Sequence, residues 1–159
     1  MSERRFGFRN TRQRWQLPIG FAAMGVVAVS MVVSAVRGTA PGGFAAMFAG
    51  IVVWNGFWFL WLMGHTVDVV GDQVVWRAVL RRRELAVADL AGNGNLIPGF
   101  GWLTLRGTDR LWVLTDGNGW PQFLAALNEV HPDRPFSPAW GERFAQRQLA
   151  GRRSGFYEG

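Results

Sequence analysis

Arg81-Arg82-Arg83 is the one run of three consecutive arginines in the chain. Guanidinium forks grip phosphate and carboxylate bidentately, so such a run can bind anions. A second basic group, Arg4, Arg5, Arg9, Arg12 and Arg14, stands near the N-terminus and is opposed only by Glu3. Groups able to do catalysis are scarce. His65 and His131 are the only histidines and lie far apart in sequence. His65 reads as the first residue out of an apolar stretch. Asp68, Asp72, Glu84, Asp89, Asp109 and Asp116 each adjoin a turn or an alternating segment, where solvated carboxylates are expected. No spacing supports a nucleophile–base pair or a carboxylate dyad. The chain has no Cys, which excludes disulfides and thiolate metal ligands. Gly117-Asn118-Gly119 follows a strand pattern, but the third glycine and later strand of a dinucleotide-binding unit are missing. The residues point to binding rather than catalysis, with no metal, cofactor or small-molecule substrate.

The elements that position these arginines begin with two uncharged stretches, 16–36 and 38–64. Twenty apolar residues in a helix rise about 30 Å, the thickness of a bilayer's hydrocarbon core. Neither stretch carries the polar stripe of a soluble amphipathic helix. Two transmembrane helices are therefore expected over 17–36 and 44–63, joined by a Pro/Gly-rich turn at 37–43. The first apolar run is longer than a signal-peptide core and reads as an uncleaved anchor. Arginine is concentrated before the first span and after the second, with Arg37 alone in the turn. Cationic residues stay on the cytoplasmic side, so both termini should be cytoplasmic.

The net charge of +6 resides mostly in residues 1–16, a basic arm whose natural partner is an anionic lipid surface. No nucleic-acid motif accompanies it. All the basic residues are Arg, which suggests a GC-rich bacterial genome. Within the second span, Trp54, Trp58 and Trp61 recur at helical spacing and form a packing or partner face. Ala46 and Gly50 form a small-x-x-x-small pair that permits close helix approach. Asn55 is a polar group well inside the span and should point at a partner.

After Gly64 the pattern changes to alternation. Val67 and Val69, then Val74, Trp76, Ala78 and Leu80, read as a hairpin across Gly71-Asp72, with these residues facing one core. Leu85 and Val87 begin a third strand. Residues 93–101 are rich in Gly and Asn and read as turns. A second hairpin is expected over 102–115, and Pro121 opens a helix with Phe123, Leu124, Leu127 and Val130 on its apolar face. Residues 132–159 form a tail. Ser137-Pro138 marks a helix start, with Trp140 and Phe144 on one face of a short amphipathic segment. That segment suits the membrane interface, the barrel, a partner or a partly disordered tail equally.

Two segments carry a resemblance to a family. The run 66–77 (TVDVVGDQVVWR) looks like the opening hairpin of bacterial pleckstrin-homology-like (PH-like) domains. The segment 82–90 (RRELAVADL) looks like their basic corner, apolar strand and aspartate, and 121–127 (PQFLAAL) resembles their capping helix. Membrane-anchored members place such a domain after a pair of spans. The resemblance implies a small, mainly antiparallel β barrel over 65–131 capped by one helix. It also implies a non-enzymatic scaffold or accessory subunit of a bacterial inner-membrane complex, with a membrane-protein partner or a second copy. An alternative is an anionic-lipid sensor, with Arg81–Arg83 and the basic arm reading headgroups. Inositide binding is not implied, because the first hairpin loop carries Asp72 instead of basic residues.

Overall fold

The computed structural model describes residues 5–97, 99–107, 109–115, 119–133, 136 and 156–158, and only the backbone of 11–13. Strand β1 (Arg5–Arg9) leads through Asn10 into helix α1 (Thr11–Val36). Helix α2 (Gly42–Phe57) continues through one π-helical segment, Trp58–Leu62, straight into strand β2 (Met63–Val70). The segments Arg14–Val36 and Gly42–Leu62 are long and apolar enough to cross a bilayer. Only 6% and 11% of their most apolar windows is buried inside the molecule, unlike the core helices of a soluble domain. Their exposed apolar sides suggest a membrane protein.

The turn between the spans follows from Gly38. Its φ of 73° is left-handed, which glycine adopts without strain. Thr39 N–H donates to Ser34 O and Gly38 N–H to Ala35 O, closing the last turn of α1 as a Schellman motif. The helices pack through Ala28 and Ala45, both buried. The Ala46–Gly50 pair does not mediate this packing. Ala46 is exposed and a Cβ on Gly50 would meet nothing. The side-chain amide of Asn55 donates to Ile51 O, one turn back in its own helix.

Beyond the spans lies a mainly antiparallel eight-stranded sheet and one helix. The further strands are β3 (Gln73–Ala78), β4 (Arg82–Ala86), β5 (Leu90–Ile97), β6 (Phe100–Leu105), β7 (Arg110–Leu114) and β8 (Phe156–Glu158). The order runs β4-β3-β2-β7-β6-β5, with β1 beside β2 and β8 beside β1. Strand β2 forks. Its first residues pair in parallel with β7 (Met63↔Trp112), and its remainder pairs with β1 (Arg5↔Val70 to Arg9↔Thr66). Asn10 holds the fork: its backbone N–H donates to His65 O and its side-chain amide to Leu114 O.

Residues 5–9 are thus a strand of the sheet and not a free arm. The reason is period two: Phe6 and Phe8 are buried, while Arg5 and Arg9 point outward. Phe8 meets Trp120 edge-on and Phe6 meets Phe123, both on helix α3 (Trp120–Val130). The helical hairpin is consequently an insertion between two neighbouring strands. Val67, Val69, Val74, Trp76 and Ala78 face the core with Phe123 and Leu127, but Leu80 does not and is 60% exposed. Most of the expected turn region is strand: residues 93–97 complete β5, and Phe100 and Gly101 begin β6. Gly94 is required there because Trp102 lies over it, 2.4 Å from where a Cβ would stand. The tail's expected amphipathic segment, 137–147, lies outside the described residues. Its end, Phe156–Glu158, adds a strand to β1.

Candidate functional site

Directly opposite residues of antiparallel strands share a face of the sheet. Arg9 stands opposite Thr66, and Thr66 opposite Arg77. The register therefore places Arg9 and Arg77 on either side of Thr66, on the face away from the core. Two residues along, Gly7, Asp68 and Val75 form the next row, with Tyr157 of β8 opposite Gly7. The missing side chain of Gly7 lets Tyr157 lie across it and donate its hydroxyl proton to Asp68. Arg77 stands 3.8 Å from the same carboxylate, and Arg9 lies over the Tyr157 ring. Asp68 is 3% exposed, so it is not the solvated carboxylate expected from its alternating segment. Tyr157 is pushed up to about 12, by burial first and then by its bond to Asp68.

Helix α1 leaves the sheet beside this row. Its residues Trp15, Pro18, Ile19 and Ala22 recur at helical spacing and make one stripe. Together with Arg9, Arg14, His65, Thr66, Arg77, Ala78 and Val79 they line a cavity of about 650 Å³. The cavity has two chemistries. At the sheet end stand Arg9, Arg14 and Arg77. Along α1 the wall is apolar and continues into the span.

His65 is buried at the back of this cavity, 5% exposed, and not at the surface. The bulge between Gly64 and Thr66 turns it out of the regular ladder. Its Nδ1 has no hydrogen-bond partner among the described residues. Its pKa is lowered to about 4, by burial first and then by Arg14, Arg77 and Arg9. The imidazole is neutral at neutral pH because burial disfavours its charged form, and the surrounding positive charge adds to that. Three guanidinium groups and an apolar wall suit one ligand chemistry, an anion attached to a hydrocarbon.

The foot of α2 is different. Trp58 packs on Trp112 at 5.7 Å, and Trp112 on Trp102 at 5.0 Å. Phe59 meets Phe21 of α1 on one side and Phe100 of β6 on the other. Trp76 donates its indole N–H to Trp112 O. Of the span residues read as one face, Trp58 is thus used inside the molecule, while Trp54 and Trp61 are exposed. Compared with protein-family models, with curated proteins and with solved structures, the chain has no match. The geometry alone therefore carries the functional reading.

The predicted basic residues divide. Arg9 and Arg14 enter the cavity. Arg5 pairs with Val70 at the far end of β1, away from the spans. Arg4 and the side chain of Arg12 lie outside the described residues. Arg81–Arg83 do not line the cavity. Arg82 pairs with Glu84, and Arg83 stands 3.8 Å from Asp109. Their corner does adjoin the second span, since Leu80 N–H donates to Leu60 O. Arg77 and His65 were not legible as site residues. The one available signal was polar alternation, Thr66 and Asp68 against Val67 and Val69, which marks a wet face of the strand. Among the described residues, no group of three His, Asp or Glu side chains could hold a metal.

Proposed function

We propose that this protein is a non-enzymatic, membrane-anchored binding module that holds the headgroup of an anionic lipid at the foot of its first span. The observation that carries this reading is the convergence of Arg9, Arg14 and Arg77 on a cavity whose other wall is the apolar side of α1. Headgroup and acyl chain are each matched. The sheet and α3 serve as a variant PH-like domain whose strands β1 and β8 come from outside the 65–131 segment. Strands β1 and β8 share one sheet with β2–β7, so residues 5–9 and 156–158 lie on one side of the bilayer. The arginine asymmetry supports reading that side as the cytoplasm of a bacterial inner membrane.

The test uses the full chain in neutral detergent, titrated with phosphatidylglycerol or phosphatidylcholine carrying brominated acyl chains. Trp15 lines the cavity, and because the chain has nine tryptophans the site is read from the part of the quenching that Trp15→Phe removes. Each charge near an anionic group contributes about 1 kcal/mol, so replacing Arg9, Arg14 and Arg77 by Gln should weaken phosphatidylglycerol binding about a hundredfold. Arg14→Gln alone should cost about fivefold. It leaves the Asp68–Arg77 pair in place, so a folding defect is not expected. Equal affinity for both lipids, or no change in these variants, would refute the reading. Displacement by inorganic phosphate would transfer the site to a soluble anion.

A second reading, the accessory subunit of a membrane complex, rests on the outer side of α2. Trp54 is 65% exposed there and Gly50 faces open space. A partner helix could approach closely at Ala46 and Gly50.

A further inference from the structure

Outside the two spans, Leu80, Leu96 and Ile97 are the large apolar side chains that the described residues leave exposed. They are 60%, 66% and 53% exposed. A sheet of this composition would ordinarily scatter such residues over its surface. Here all three fall at chain reversals that touch the spans. Leu80 occupies the corner between β3 and β4, and its N–H donates to Leu60 O inside the π-helical end of the second span. Leu96 and Ile97 end β5, and Ile97 pairs with Phe100. The Phe100 ring lies 6.1 Å from Phe59, a span residue that also meets Phe21 of α1. Gly99 O accepts from Thr115 N–H, next to Leu114, whose carbonyl takes the Asn10 amide at the start of α1. Both reversals are therefore tied to residues at the sheet-side end of the second span. The turn at the other end of the β2–β3 hairpin carries Asp72 and Gln73, both exposed and polar.

We infer that Leu80, Leu96 and Ile97 insert into the lipid interface and seat the sheet on the same bilayer that the two helices cross. The occupant is lipid because both reversals are joined directly to apolar residues of the second span, Leu80 by its bond to Leu60 and the β5–β6 turn by Phe100 against Phe59. Interfacial insertion of a few large apolar side chains is how surface-lying elements gain membrane affinity. The contact needs no anionic headgroup, so it is independent of the cavity beside α1. It depends only on the spans being in a membrane. Its consequence is orientation: with contacts at two separate reversals, the sheet cannot swing away from the membrane, and the cavity stays at headgroup level.

The chain has no Cys, so single cysteines can be placed cleanly. Leu80→Cys, Leu96→Cys, Ile97→Cys and a control, Gln73→Cys, would each be spin-labelled in the full chain in phosphatidylcholine vesicles. All four side chains are exposed, so folding is not at stake. Collisions with oxygen, which concentrates in lipid, should dominate at the first three sites. Collisions with a water-soluble nickel chelate should dominate at Gln73. Labels at 80, 96 and 97 that meet nickel as freely as the control would overturn the inference. Labels shielded from both reagents would also overturn it, by showing that protein and not lipid covers the reversals. Neither result bears on anionic-lipid preference, which the quenching titration reads separately.

Discussion

The two helices leave the bilayer side by side into neighbouring strands, yet their feet have opposite chemistry. At the foot of α1, Arg9, Arg14, Arg77 and His65 surround an open cavity. At the foot of α2, Trp58, Trp112, Trp102, Phe59 and Phe100 close on one another. The difference teaches a division of labour. Offset and edge-on aromatic pairs contribute about 0.5–1.5 kcal/mol each beyond their burial. A continuous π-helix-to-strand connection leaves no linker to absorb motion. The α2 foot thus ties the sheet to the second helix, and on the proposed reading the open α1 foot is where the ligand is held. Damage to the aromatic foot should appear as lost structure, and damage to the cationic foot as lost binding.

The largest expected effect comes from Trp76→Ala. Trp76 is 2% exposed and joins the core to Trp112 through its indole N–H. Removing such a side chain costs about 3–5 kcal/mol. A domain has only about 5–15 kcal/mol in all. Hydrogen exchange across 63–78 should accelerate strongly while the helices remain protected in the bilayer. Unchanged exchange would show that Trp76 is not part of the core.

Gly64→Ala tests the same foot with a smaller change. A Cβ at Gly64 would stand 2.1 Å from the Trp76 indole nitrogen, so the ring must shift off Trp112 O. Overpacking of this kind costs about 1–3 kcal/mol. The expected outcome is a lower unfolding temperature with phosphatidylglycerol affinity within a few-fold of the parent. If affinity falls while the melting temperature holds, the two feet are not separable in the way the comparison requires.

Much of this was legible in advance, and the failures share a cause. The spans, the hairpin across Gly71-Asp72, the β6–β7 hairpin and α3 announce themselves through local periodicity. Strand β1 did not, because Phe6 and Phe8 are only two apolar residues among arginines. Their burial depends on Trp120 and Phe123, distant in sequence. Strand β5 was hidden by Gly92 and Gly94, whose space is used by the neighbouring Trp102 at the second of them. The site suffered most. Arg9 and Arg14 stood out as charge, but Arg77 joins them only through the register Arg9↔Thr66↔Arg77. His65 joins only through a bulge. Neither register nor bulge leaves a mark in local spacing. The fold was read from local pattern, and the cavity exists only where three separate segments meet.

The smallest expected effect is also the most specific to the cationic foot. His65 in the empty protein stays neutral down to about pH 4, against 6.5 for a free histidine. The unfolded chain therefore binds a proton that the folded chain refuses between those values. Stability present above about pH 6.5 should be lost progressively as pH falls to about 4. Three cations face the imidazole: Arg9 from β1, Arg14 from α1 and Arg77 from β3. An anionic headgroup among them would offset the repulsion that holds the proton away. Bound lipid should thus raise the His65 pKa, and by reciprocity the proton should tighten lipid binding. Affinity for phosphatidylglycerol should rise a few-fold from about pH 7.5 to about pH 5, opposite in sign to the stability of the empty protein. His65→Gln should remove that rise and leave neutral-pH affinity nearly unchanged. A rise that persists without the imidazole would place the titrating group elsewhere. Equal pH dependence for phosphatidylcholine would detach it from the headgroup charge.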